Sequence, residues 1–219
     1  MSQQQIQLYS MATPNGQKVS IALEEMGIAY DAHLINIMQD DQFTDQYIKI
    51  SPNSKIPAIV DLNSSDGEPM TVMESGAILI YLAEKSGKFL SSNPRLRSET
   101  LQWLFFQVAH VGPMFGQFGH FYKYAKEQCD HPYPLARYST ESKRLLGVLN
   151  KRLKNRTFLV NEEYSIADIA TFPWVGCLER FYEAGEYLGL ADFPHVQNWF
   201  ERCAQRPAAI RGAGVCTVV

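Results

Sequence analysis

The chain has 219 residues, of which 46% are hydrophobic and 20% charged, enough for two domains with separate cores and too apolar for a disordered chain. A net charge of -3 argues against a general binder of nucleic acid or anionic membrane, yet leaves room for a local basic pocket that takes an anionic small molecule. No apolar run reaches the roughly 18 residues of a membrane span, and the polar start Met1-Ser2-Gln3-Gln4-Gln5 lacks the marks of a secretory signal, so the cytoplasm is the expected compartment.

The first third alternates strand and helix signals. Ile6 to Ser10 predicts a strand that runs into Thr13-Pro14-Asn15-Gly16, where a capping Thr precedes Pro at the first helical position. Val19, Ala22, Leu23 and Met26 then fall on one helical face, and Gly27 stands where a C-terminal glycine ends a helix. Tyr30 to Ile37 reads as a second strand and Phe43 to Ile50 as a short helix. Ile56 to Asp61 and Met70 to Met73 read as two strands, separated by the turn-rich Asn63-Ser64-Ser65-Asp66-Gly67. Ser75 reads as the cap of a helix with Ala77, Ile78, Tyr81 and Leu82 on its apolar face. The order β-α-β-α-β-β-α is the thioredoxin-like arrangement, and it predicts a domain over residues 1–87.

Residues 88–94 are polar and turn-prone and read as a linker. Beyond them the strand signals nearly stop, which predicts an all-helical domain over 95–219. Leu101, Leu104, Phe105 and Val108 share one helical face, as do Leu145, Val148, Leu149 and Leu153. Ser165-Ile166-Ala167-Asp168 has the pattern of a capping box and opens a helix that continues past Pro173. Val196, Trp199, Phe200 and Cys203 mark a last amphipathic helix, and the tail after Pro207 is too rich in glycine to assign. Cys129, Cys177, Cys203 and Cys216 form no C-x-x-C pair and no zinc spacing, so they read as free thiols. A reactive sulfur would then come from a bound ligand.

Three segments can carry chemistry, and each also has a plain structural reading. At Thr13-Pro14-Asn15-Gly16, a helix start and two side-chain donors would favour an anionic sulfur, although Thr13 can be only a cap and Asn15 only a surface residue. At Lys55-Ile56-Pro57, a cis proline would leave the Ile56 backbone free to pair with an extended ligand, although a proline at a strand entrance needs no ligand. At Glu74-Ser75, the pair would take a ligand ammonium and carboxylate, although both residues are favoured at helix starts for stability alone.

The order and spacing of these segments are more specific than any one of them. Thr13-Pro14-Asn15-Gly16, Asn53 through Asp61, Glu74-Ser75-Gly76-Ala77-Ile78 and Ser165 through Asp168 resemble the cytosolic glutathione transferase superfamily, over nearly the whole chain. With Trp103-Leu104-Phe105 and Gly112-Pro113-Met114, the first motif looks most like the bacterial Nu-class proteins. Those are glutathione-dependent disulfide-bond reductases, related to the glutathione-binding domain of a fungal nitrogen regulator and prion.

The resemblance implies glutathione as co-substrate, with a second molecule near the first, and a homodimer. It implies that Thr13 and Asn15 face the glutathione sulfur, that Gln42 and Lys55 lie near the glycyl end, and that Ile56 pairs through its backbone. Glu74 and Ser75 would take the γ-glutamyl end, and Arg137 would reach the ligand from the helical domain. The Ser165 to Asp168 box would be structural. No Cys stands in the first turn, which departs from family members that form a protein–glutathione mixed disulfide. Tyr9 stands near the position of a catalytic Tyr in other classes, but its place in the strand predicts burial, with Ser10 as the rival hydroxyl. His110, His120 and His131 have no metal-ligand spacing, so no metal is expected.

The implied chemistry is attack of a bound glutathione thiolate on a small disulfide such as 2-hydroxyethyl disulfide, followed by resolution by a second glutathione. Conjugation of the same thiolate to a carbon electrophile, and a non-catalytic glutathione-binding regulatory role, are the alternatives.

Overall fold

In the computed structural model residues 4–218 are described. They separate into a unit that runs to Leu90 and takes in the stretch from Gln205 onward, and a second unit, Ser91–Ala204. The first unit begins with β1 (Ile6–Ser10), α1 (Pro14–Met26) and β2 (Tyr30–Leu34). After 3₁₀ turns at Ile37–Gln39 and Asp41–Phe43 come α2 (Asp45–Ile48), β3 (Ala58–Asp61), β4 (Met70–Met73) and α3 (Ser75–Ser86). The sheet order is β2-β1-β3-β4. β1 pairs parallel with β2, Ile6 opposite Tyr30, and antiparallel with β3, Ile6 opposite Asp61. This is the thioredoxin-like arrangement.

Local chemistry explains the element ends. Thr13 accepts a hydrogen bond from Gly16 N at the start of α1, and Gly27 closes it in the left-handed region with φ 71°. β2 stops at Leu34 rather than Ile37, because the Asn36 side chain caps the following 3₁₀ turn. The helix expected at Phe43 to Ile50 shrinks to α2, capped by Thr44. β3 begins after the cis Ile56–Pro57 bond. Asp61, fully buried at the end of β3, ties strand to helix: it accepts from Tyr81 Oη at 2.5 Å and pairs with Lys85 Nζ at 2.8 Å. Burial pushes its carboxyl up, but Lys85, Tyr81, the Asn63 amide and Gln5 together hold it below the usual carboxylate range.

The second unit consists of α4 (Pro94–Phe106), α5 (Gly112–Gly119), α6 (Pro132–Leu153), α7 (Ile166–Arg180), α8 (Gly185–Leu188) and α9 (Pro194–Ala204). π-helical turns at Gln107–Val111 and His120–Tyr124 flank α5. No strand occurs among the described residues of this unit. The apolar face expected on α4 is only partly covered: Leu104 is buried, whereas Phe105 is 59% exposed. No helix among the described residues is long and apolar enough to cross a membrane.

The C-terminal segment differs from the expected 95–219 helical domain. α10 (Pro207–Ala213) packs on α1, with the Gly212 backbone so close that a Cβ there would stand 2.6 Å from Ile21 Cα. Ser20 Oγ donates to Gly212 O at 2.7 Å, and Arg206 grips Glu25 through two nitrogens at 2.5 and 2.9 Å. These contacts lie far apart in sequence, and the glycine that makes the closest one possible also weakens the helical signal.

The Ser165–Asp168 capping box is formed. Asp168, fully buried, accepts from Leu159 N, Ser165 N, Ser165 Oγ and Trp199 Nε1 at 2.9–3.1 Å, joining α7, α9 and the loop before them. Burial pushes its carboxyl up while these donors oppose that. Asp168→Ala leaves several buried donors without an acceptor, so it is expected to lower unfolding free energy by roughly 3–5 kcal/mol. Denaturant titration of the variant checks this.

Candidate functional site

The turn between β1 and α1 is tight. Thr13 N donates to Met11 O at 2.7 Å, and Ala12 N donates to Cys216 O at 3.0 Å, so the C-terminal segment braces the turn. Gly16 is required there: a Cβ would stand 1.9 Å from Met11 O and 2.5 Å from Ser10 Oγ. Thr13 caps the helix, and Asn15, half-buried, occupies its first turn. Both side chains lie at the positive end of α1, where backbone N–H groups favour an anion. The rival hydroxyl points elsewhere, since Ser10 is buried and donates to Met11 O at 3.3 Å. Tyr9 is half-buried rather than buried, and its ring stacks on His33 with centroids 4.6 Å apart.

The start of α3 corrects the expectation for Ser75. Glu74, not Ser75, is the N-cap residue, and its side chain makes no capping bond. Ser75 is the first helical residue, buried, and its Oγ accepts from Lys18 Nζ of α1 at 3.2 Å. Glu74 holds φ at 68° and ψ at 115°, a conformation costly for a residue with a Cβ, by about 1–3 kcal/mol. Its exposed carboxylate lies 3.4 Å from Asn53 Nδ2. Lys18 was not singled out by sequence, although a signal exists. It falls four residues before Ala22 and eight before Met26, a charge within the apolar stripe of α1.

Gln42 is buried in the Asp41–Phe43 turn, and its Oε1 has no hydrogen-bond partner among the described residues. The Lys55 carbonyl accepts from Tyr47 Oη at 2.7 Å and Ser51 Oγ at 2.9 Å, and its side chain is exposed. Ile56 precedes the cis Pro57, and its backbone N–H and C=O find no partner among the described residues. Arg137 lies exposed on α6 in the other unit, 3.8 Å from Glu141. Cys177 and Cys203 are buried, and Cys129 and Cys216 half-buried, all as free thiols. Burial pushes the Cys177 thiol up to about 11 against a hydrogen bond with Tyr182, so it is a poor nucleophile at neutral pH. Among the described residues no cluster of His, Cys, Asp or Glu could hold a metal ion.

The chain's relatives share this architecture. Residues 12–85 match the glutathione S-transferase N-terminal domain, and residues 114–207 match the glutathione S-transferase C-terminal domain. The disulfide-bond oxidoreductase YfcG of Escherichia coli (strain K12) is 49% identical over 204 residues, which cover 93% of this chain and 92% of that protein. The chain belongs to the glutathione S-transferase family. Within the family, the disulfide-bond oxidoreductase YghU of Escherichia coli is 45% identical, over 94% of this chain and 73% of that protein. The crystal structure of a glutathione transferase family member from Pseudomonas fluorescens pf-5, with two glutathione bound, is 51% identical with a TM-score of 0.95. That match covers 97% of this chain and 93% of the other. These similarities make this glutathione S-transferase a close relative of the bacterial Nu-class disulfide-bond oxidoreductases.

Gly16→Ala is expected to displace the Met11 carbonyl and lower stability by roughly 1–3 kcal/mol. A drop in the thermal midpoint, with native-like secondary structure retained below it, is the outcome to look for.

Proposed function

We propose that this protein reduces small disulfides with glutathione as the thiol reagent. The observation that supports the reading best is the start of α1, where the Thr13 hydroxyl and the Asn15 amide stand at the positive end of the helix dipole and no thiol is present. Glutathione bound with its sulfur at this turn would lose its proton more readily, because donors at a helix start favour the charged form. Thr13 and Asn15 are the proposed catalytic donors.

The rest of the ligand is assigned to groups whose local chemistry suits it. Ser75 and the first N–H groups of α3 take the γ-glutamyl carboxylate, and the Glu74 carboxylate takes the ammonium. The strained Glu74 backbone is the kind of distortion that persists at ligand clamps. The Ile56 backbone pairs with the cysteinyl residue of the ligand. Lys55 serves the glycyl carboxylate, and the buried Gln42 oxygen is satisfied by a ligand N–H. Arg137 is proposed as the contribution of the helical unit, on its match to the family position.

The reaction then runs in two exchanges. The glutathione thiolate attacks one sulfur of the substrate, a sulfur–sulfur bond forms, and the other sulfur leaves as a thiolate that takes up a proton. A second glutathione thiolate attacks the glutathione sulfur of the mixed disulfide, releasing the remaining substrate thiol and glutathione disulfide. Two glutathiones are oxidised and one disulfide is reduced to two thiols. Two glutathione molecules are bound in the Pseudomonas fluorescens relative, in keeping with this requirement.

Steady-state turnover of 2-hydroxyethyl disulfide, compared with an aryl halide, tests the assignment. Faster reaction with the aryl halide would favour conjugation, and tight glutathione binding without turnover would favour a regulatory role. Asn15→Ala is expected to lower kcat by roughly tenfold, corresponding to about 1.4 kcal/mol of lost thiolate stabilisation, with a smaller loss of glutathione affinity and a raised pKa of the bound thiol. An unshifted thiol titration with normal turnover would remove Asn15 from the mechanism.

The protein is also proposed to be a homodimer, with the exposed Phe105 face of α4 covered by a second copy. That face, with Pro94, Leu101 and Phe105, borders an open apolar groove. Light scattering at micromolar concentration is expected to give twice the chain mass, and Phe105→Lys to shift it toward one.

A further inference from the structure

Lys18 has no part in the scheme above, yet it is one of the largest fully buried side chains of the chain, with 2% of its surface exposed. Burying an ammonium is costly, so such a residue is retained only where something nearby uses it. Its Nζ lies 3.2 Å from Ser75 Oγ, directly beneath the start of α3. Ser75 is itself only 8% exposed, so the orientation of its hydroxyl is set largely by this neighbour.

The protonation state of Lys18 decides that orientation. An ammonium has only donors, so it fills a lone pair of the Ser75 oxygen and leaves the hydroxyl hydrogen for another acceptor. A neutral amine has a lone pair and can take the Ser75 hydrogen for itself.

The surrounding charges leave this choice open. Glu74, at the head of α3, is the charge that acts on Lys18 and favours its ammonium form. The two carboxylates of α1, Glu24 and Glu25, are held by Arg211 and Arg206 from the C-terminal segment. In the sheet, Asp61 is held by Lys85 and Tyr81. Burial raises the thiol of Cys216, whose carbonyl meets the turn, and burial with the Glu24 carboxylate raises the phenol of Tyr30, so both stay neutral at physiological pH. Burial pushes Lys18 down to about 7, against the opposing pull of Glu74.

We propose that Lys18 is a positioning residue of the γ-glutamyl subsite, turning the Ser75 hydroxyl toward the ligand carboxylate and drawing a proton from solvent when that anion binds. The inference rests on the glutathione reading above and adds a coupling between ligand binding and proton uptake. The sign follows from linkage. Above about pH 7 the free protein holds Lys18 mostly neutral, and a carboxylate at Ser75 raises its pKa. Affinity therefore falls as pH rises between the free and bound pKa values, approaching tenfold per pH unit within that window.

S-methylglutathione, whose blocked sulfur cannot titrate, is the probe. Calorimetry at about pH 7.5, in buffers of different ionisation enthalpy, is expected to show uptake of roughly half a proton or more per site. Lys18→Met is expected to abolish most of that uptake, flatten the pH dependence and weaken binding at pH 7 by about tenfold or more. Its thermal midpoint is measured alongside, so that a loss of binding is told apart from a loss of fold. Wild-type binding without proton uptake, or a Lys18→Met variant with unchanged uptake, would overturn the inference and leave the glutathione site standing. Failure of the wild type to bind S-methylglutathione at millimolar concentration would overturn the glutathione reading, and this inference with it. Should the variant not fold, the wild-type uptake still decides, as does an NMR titration of the Lys18 side chain with and without the probe.

Discussion

The chain can leave β1 and enter α1 only because Gly16 has no side chain, since the Met11 carbonyl oxygen lies where a Cβ would stand. That close approach sets where α1 begins, and α1 in turn places the groups on which the proposed chemistry draws. Thr13 and Asn15 stand on its first turn, and Lys18 follows one turn later, against α3. The other side of the helix is held by α10, through the equally close approach of Gly212 to Ile21. With neighbours on both flanks, α1 cannot shift to relieve crowding at its start, so the turn is held in one geometry.

Two local costs meet at the start of α3. Glu74 holds a backbone conformation that residues with a Cβ avoid, and Lys18 is buried although its charged form prefers water. Both meet at Ser75, Glu74 as its neighbour in the chain and Lys18 through a hydrogen bond to its hydroxyl. Asp168 is the contrast in the helical unit. It is as deeply buried, but it receives donors from two backbone amides, a hydroxyl and an indole, and it binds elements of the fold together.

Much of the fold was legible because its signals are local. A capping Thr before Pro, a glycine after Met26 and a capping box at Ser165 each act within one helical turn, and they appear in the structure where the sequence places them. The candidate site was legible as a set of motifs rather than as contacts. Thr13, Asn15, Glu74 and Ser75 stand out as residue types at element ends, but nothing local tells a capping serine from one that faces a neighbouring helix. Local signals alone make Ser75 a cap, whereas its hydroxyl meets Lys18, 57 positions away in the chain.

The sequence by itself determined the order of strands and helices, the thiol-free first turn and the family resemblance, because propensities, caps and motifs are written in neighbouring residues. Tertiary structure alone decided the burial of Lys18, the return of the stretch from Gln205 to the first unit and the exposure of Phe105. The physical reason is the same in all three cases. A lysine in an apolar stripe, a glycine in a short helix and a phenylalanine on a helical face carry the same local signal whether or not another part of the chain covers them.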